Sequence, residues 1–149
     1  MIGEHEIIVG YETLMLVEEK EKLEEGYVHQ PLDHSILLIS PEIERQIGSN
    51  TLFDEVLKTT LSEISAILNE EIGKIGYIIE VNIEEDYEFP QWRDTVITIK
   101  VPIKDPKYII QLWKTIEEKV RKKIESISTD IEEINKINYH LDIAIEILE

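Results

Sequence analysis

Residues 75–103, IGYIIEVNIEEDYEFPQWRDTVITIKVPI, and the run that follows at 105–127, DPKYIIQLWKTIEEKVRKKIESI, decide how this chain is read. In the first part the odd positions Ile75, Tyr77, Ile79, Val81, Ile83, Tyr87 and Phe89 are apolar, broken only by Glu85. The even positions Glu80, Asn82, Glu84, Asp86 and Glu88 are polar. A period of two marks a strand with one greasy and one wet face. Ile97, Ile99, Val101 and Ile103 repeat it against Asp94, Thr98, Lys100 and Lys104. Strands over about 75–89 and 94–103 therefore pair as an antiparallel hairpin. Matching faces set Glu80 opposite Lys100 or, with a looser turn, Glu84 opposite Lys100 and Glu80 opposite Lys104. Pro102 has no N–H to give to a ladder, which places it at an edge or a strand end.

Asp105 then caps a helix whose first position, Pro106, has no donor to lose. From there Ile109, Leu112, Trp113, Ile116, Val120, Ile124 and Ile127 recur every three or four residues, so a helix over about 105–127 turns one stripe to the sheet. Upstream, Thr51 with Asp54 resembles a capping box, and Phe53, Val56, Leu57, Leu61, Ile64, Leu68 and Ile72 form a second stripe over 51–72, closed by Gly73. Helix, strand, strand, helix with both stripes on one sheet face is an α+β two-layer sandwich.

The C-terminal text reads as a third helix over about 129–148, with Thr129 and Glu132 as its capping box. Ile124, Ile131, Asn138 and Ile145 alternate with Ile127, Ile134, Leu141 and Leu148 at three-four spacing. Such a seam serves either the chain's own core or a contact between copies across 128–148. In the second case Ile131, Ile134, Asn138, Leu141, Ile145 and Leu148 face the twin, and Asn138 sets register by pairing with its copy. Residues 5–25 read either as a short strand at 5–10 followed by a helix that Gly26 stops, or as one longer strand. GYVHQPLDHSILLIS at 26–40 is a loop around Pro31 and then a short apolar run. Ser40-Pro41 opens a short helix that Gly48-Ser49-Asn50 ends.

At 149 residues the chain has room for one core, and 1–149 reads as a single α+β domain. There is no cysteine, which removes disulfides and thiolate metal sites and fits a cytoplasmic protein. No basic leader precedes an apolar run, and no apolar run is long enough to cross a bilayer, so a membrane is not among the expected partners. The 28 isoleucines against 2 alanines, with Glu far in excess of Asp, fit an AT-rich genome and a thermophilic host. A formal charge of -17 repels phosphate backbones, so direct nucleic-acid binding is not expected. The charge is uneven: residues 1–90 carry 5 basic and 21 acidic side chains, residues 91–149 carry 10 and 11. Lys107, Lys114 and Arg121 are either the solvated back of their helix or a surface for an acidic partner.

Three clusters carry the functional candidates. Phe89, Trp92 and Arg93 gather interface-type side chains at the hairpin tip, a candidate partner-binding point. His29, Asp33 and His34 lie close in one loop and suggest a divalent-metal site, though their spacing matches no established motif. The carboxylate row from Glu80 to Glu88 is the wet side of a strand or, less simply, a mimic of nucleic acid. Phosphate-cradling loops, nucleophile elbows and HExxH are absent. These observations lead to the expectation of a non-enzymatic, acidic protein-interaction or regulatory module that self-associates, without a cofactor. The alternative is a small metal-dependent hydrolase or ligand-binding enzyme built on the His/Asp cluster, and only this alternative calls for a metal.

Overall fold

Five segments join in one sheet, and two long apolar helical stripes roof one of its faces. The computed structural model describes residues 20–32, 35–73, 75–85, 88 and 93–148. Along these residues the order is β1 (Val28–Leu32), β2 (Ser35–Ile39), α1 (Pro41–Ser49), α2 (Thr51–Ile72), β3 (Ile78–Glu85), β4 (Arg93–Val101), α3 (Pro106–Glu125), α4 (Ile131–Tyr139) and β5 (Leu141–Ile147). The class is α+β, with helices packed on a sheet, as the patterning implied. The helical turn at 20–24 ends at Gly26, whose φ of 91° makes it the left-handed residue that stops a helix.

Each helix starts where a short side chain takes an orphan N–H. The Ser40 hydroxyl accepts from Ile43 N–H at 3.3 Å and the Asn50 side chain from Phe53 N–H at 3.0 Å. Asp105 accepts from Lys107 and Tyr108, and Asp130 from Glu133 at 3.2 Å. Two caps thus sit one residue away from the expected Thr51 and Thr129. At the first, Thr51 is already inside the helix and Asn50 holds the extended backbone a cap requires.

The sheet order is β1-β2-β3-β4-β5, antiparallel at β1/β2 and β3/β4 and parallel at β2/β3 and β4/β5. The β3/β4 register pairs Ile79 with Ile99 and Glu80 with Thr98, two residues from the nearer of the two expected registers. Lys100 still reaches Glu80 diagonally, at 3.4 Å. β4 ends at Val101, immediately before Pro102.

Both crossovers, β2–α1–α2–β3 and β4–α3–α4–β5, advance the same way along the sheet and put their helices on the same face. Because β3 and β4 are antiparallel, the two crossovers have opposite hands. In a strand of L-residues seen from the face its side chain points to, with the N-terminus below, a residue's own N–H and C=O point right. Leu37 and Ile39 of β2 point to the helices, while the alternate residues Ile36 and Ser40 donate to Tyr77 and Val81. β3 therefore lies to the left of β2, and the first crossover is left-handed. The second has the usual right hand.

The helix-facing residues Ile79, Val81, Ile97 and Ile99 are fully buried beneath Val56, Ile64 and Leu68 of α2 and Ile116, Val120 and Ile124 of α3. The opposite face is not simply wet. Ile36, Leu38, Ile78 and Leu148 form a second small core with Tyr27 packed on it. Glu80 is buried beside them, held by Lys22 at 3.3 Å, Lys100 and the Asn82 amide at 2.6 Å. The Tyr27 hydroxyl donates to the carbonyl oxygen of the same Asn82 side chain.

The largest departure is at the C-terminus. The expected helix over 129–148 stops at Tyr139, and Leu141–Ile147 forms β5 against β4. The segment offers Leu141, Ile145 and Leu148 at three-four spacing and Leu141, Ile143, Ile145 and Ile147 at a period of two, and the β-branched isoleucines favour the strand. β5 is an edge, and α3 covers part of it. Trp113 Nε1 donates to the Ile143 carbonyl at 2.8 Å and Arg121 Nη2 to the Leu141 carbonyl at 2.7 Å. These are outward groups that an edge strand otherwise leaves open.

Candidate cleft between the two short helices

Each crossover contains one long helix that roofs the sheet and one nine-residue helix, α1 or α4, that stands at its end. Where β3 finishes and β4 and β5 begin, α1 and α4 face each other across a cleft of about 510 Å³. That volume lies in the range of small-ligand sites. Phe53, Ile83 and Ile137 give the cleft apolar surface, and Thr95, 6% exposed, lies within it.

The polar groups at the cleft come from segments far apart in sequence. Arg93, at the start of β4, forms ion pairs with Glu42 of α1 and, at 3.2 Å, with Glu85 of β3. The next residue, Asp94, accepts from His140 Nδ1 at 2.8 Å. Main-chain bonding holds that pair in place, because Thr95 N–H donates to the His140 carbonyl at 2.8 Å. An ionised carboxylate only accepts, so Nδ1 carries a proton in this contact, and in the neutral tautomer Nε2 is left as an acceptor. This is the arrangement in which a carboxylate orients an imidazole for proton transfer or for binding a donor.

The carboxylates behind the pair influence one another. Asp94 stands opposite Glu84 across the β3/β4 ladder. Asp142, near them on β5, has its pKa raised, first by desolvation and then by the negative charge of Asp94. Arg121 works in the other direction on Asp142.

The residues singled out from the sequence are dispersed. Of the tip residues, Phe89 and Trp92 lie outside the described residues, and Arg93 is committed to Glu42 and Glu85 at the cleft. Of the metal candidates, Asp33 and His34 lie outside the described residues. His29 sits on β1 opposite Leu38. Among the described residues no three His, Asp or Glu side chains gather closely enough to hold a metal ion.

The proposed seam is not one helical stripe. Ile131, Ile134 and Asn138 are on α4, Leu141 and Ile145 on β5, and Leu148 follows it. Ile134, Leu141 and Leu148 are buried in this chain's own cores. Asn138 accepts from Arg121 Nη1 through its main-chain carbonyl at 2.9 Å and its side chain at 2.7 Å. Arg121 is therefore not part of a solvated helix back. It bonds to the corner between α4 and β5.

Asp94 reads from the sequence as part of a wet strand face, and nothing in the sequence connects it with His140. Their contact depends on β5 lying parallel to β4, and no local pattern announces a parallel partner. No helix among the described residues is long and apolar enough to cross a membrane. Comparison with protein-family models, with curated proteins and with solved structures finds no match.

Proposed function

We propose that this chain is a ligand-responsive interaction module that binds a small molecule in the α1/α4 cleft and presents the outer side of α4 to a protein partner or a second copy. The observation that carries the reading is the cleft itself, formed where two independent crossovers leave their short helices unpacked against each other. Ile131 and Tyr139, 69% and 81% exposed, lie on the helix that walls it. Occupancy of the cleft and contact through α4 would then be coupled to the extent that the ligand favours one placement of that helix. A cytoplasmic setting belongs to the same proposal and agrees with the cysteine-free composition.

A ligand-observed NMR screen of a fragment set, run on the wild type and on Ser49→Trp, tests the binding half. Fragments that bind the wild type and not the filled cleft are expected; a set with no such fragment defeats it. Light scattering on the wild type and Ile131→Asp tests the contact half, which fails if both run as monomers and no partner distinguishes them.

A second reading, an acid–base enzyme, is favoured by the oriented imidazole of His140. Ser49 also borders the cleft, but its hydroxyl is not paired with the imidazole and donates to the Gln46 carbonyl at 3.2 Å. Turnover of p-nitrophenyl acetate that disappears in both His140→Asn and Asp94→Asn would put this reading first.

A further inference from the structure

We infer that the ligand class of the cleft is a small organic acid with an apolar body, its carboxylate or phosphate head lying between Arg45 of α1 and Lys136 of α4. This rests on the cleft being a ligand site and adds what the ligand must carry.

Three carboxylates border the cleft. Glu42 is taken by Arg93 and Asp94 by His140, which leaves Glu133. Of the cations, Arg93 is doubly committed, whereas Arg45 and Lys136 form no ion pair among the described residues. The chain has three arginines, and Arg93 and Arg121 are both paired with carboxylates. Arg45 keeps its five donors in a chain with 32 acidic side chains to offer. The charged side chains that border the cleft balance, three acidic against three basic, in a protein with formal charge -17, and two of those three cations, Arg45 and Lys136, are the ones without a carboxylate partner among the described residues. A cation-bearing ligand would meet Arg45 and Lys136 as like charges, and a neutral one would leave them hydrated. An acid group satisfies both, and the guanidinium fork suits a planar carboxylate or a phosphate. Phe53, Ile83 and Ile137 supply the apolar surface against which the remainder of the molecule packs.

The test keeps one ring and changes the head. Benzoate, phenyl phosphate, benzamide and benzylamine are titrated into 15N-labelled full-length protein, following the amides of Asn50, Phe53, Thr95 and Ile137. The acids are expected to move these amides and to bind at least tenfold more tightly than benzamide, with benzylamine weakest. The margin should shrink as salt screens two exposed cations. The stronger of the two acids identifies the head. In Arg45→Glu/Lys136→Glu the preference should vanish while benzamide binding persists, and Lys114→Glu, on α3 and outside the cleft, should change nothing.

Equal binding of all four compounds, or benzylamine binding best, overturns the acid assignment and leaves the cleft standing. Acid preference surviving in the double variant overturns the assignment to these two cations. If none of the four moves the cleft amides, both the ligand class and the cleft reading fall.

Discussion

Replacing Arg121 probes the joint on which the C-terminal half depends. Its side chain, 27% exposed, lies over the corner between α4 and β5. It donates to the Asn138 carbonyl at 2.9 Å, the Asn138 side chain at 2.7 Å and the Leu141 carbonyl at 2.7 Å, and it pairs with Glu117 at 3.0 Å one helical turn away. A charged donor in a hydrogen bond contributes about 1.5 to 3 kcal/mol where water is excluded. Three such bonds from one fork are not independent, and partial exposure lets water replace them in the variant. Together they amount to roughly 3 kcal/mol. The Glu117 pair, an i,i+4 contact, adds about 0.4 kcal/mol. Arg121→Ala is therefore expected to lower stability by about 3 kcal/mol. Arg121→Lys, which keeps the charge but loses the fork, should lower it by roughly half as much. Urea unfolding followed by far-UV circular dichroism measures both. In a Trp92→Phe background the emission of Trp113, bonded to the carbonyl of Ile143, reports whether β5 has loosened. A loss under about 0.5 kcal/mol for Arg121→Ala, or a lysine as good as arginine, would refute the assignment of this joint.

Three further outcomes follow from the same structure. Asp142 has a raised pKa from desolvation and from Asp94, so the folded state holds its proton more tightly than the unfolded chain. Its favourable term is complete below the unfolded pKa and is lost as pH rises through the folded one. Asp142→Asn should accordingly stabilise the protein at pH 7 by a few tenths of a kcal/mol, roughly, for so exposed a group. The gain should fade in acid, and a pH series of melts showing the same gain at pH 3 would exclude this cause. Tyr108 is pushed up to about 12 by burial first and the neighbouring charge of Glu71 second, its hydroxyl donating to that carboxylate at 3.2 Å. Its term is present below the unfolded value of 10.0 and disappears toward pH 12. A 295 nm titration should lose a tyrosine transition near pH 12 in Tyr108→Phe and show it earlier in Glu71→Gln. Finally, Ile116 is fully buried where α3 meets the sheet, so Ile116→Ala should cost about 3 kcal/mol and Ile116→Asp should abolish the cooperative melt.

How much of this was legible in the sequence depended on the distance between partners. The helix over 51–72 and the greasy rows of the hairpin were plain because their signals are local: spacing, caps and alternation inside one segment. β1 and β2 were hidden by their shortness and by Pro31, which made the segment read as a loop although an edge strand tolerates proline. β5 was hidden by coincidence, since Leu141, Ile145 and Leu148 fit a helical stripe while Leu141, Ile143, Ile145 and Ile147 fit a strand, and only contact with Thr95 to Val101 selects the strand. Arg121 looked like a solvated helix back for the same reason, because its partners at 138 and 141 approach only once β5 has formed. The His140–Asp94 pair was the least accessible of all. It depends on a parallel pairing across 46 positions, and neither residue belongs to a motif.

The hand of the first crossover ties the fold to the cleft. A right-handed β2–α1–α2–β3 connection with the same strand order would carry α1 and α2 to the opposite face, where Ile36, Leu38 and Ile78 lie. Leu37, Ile39, Ile79 and Val81 would then lose α2, and α1 would stand on the other side of the sheet from α4. The left-handed path runs against the natural twist of a strand feeding a crossover. What offsets it is a single shared core: Phe53, Val56, Leu57, Ile64 and Leu68 bury against the same sheet face as Leu112, Ile116 and Val120, with α2 packed directly on α3. Only in that arrangement do Arg45 and Lys136 stand at the same opening, with His140 beside them. The unusual connection and the candidate site are consequences of one packing choice, so a change that weakens the contact between α2 and α3 should disturb the cleft before it unfolds the sheet.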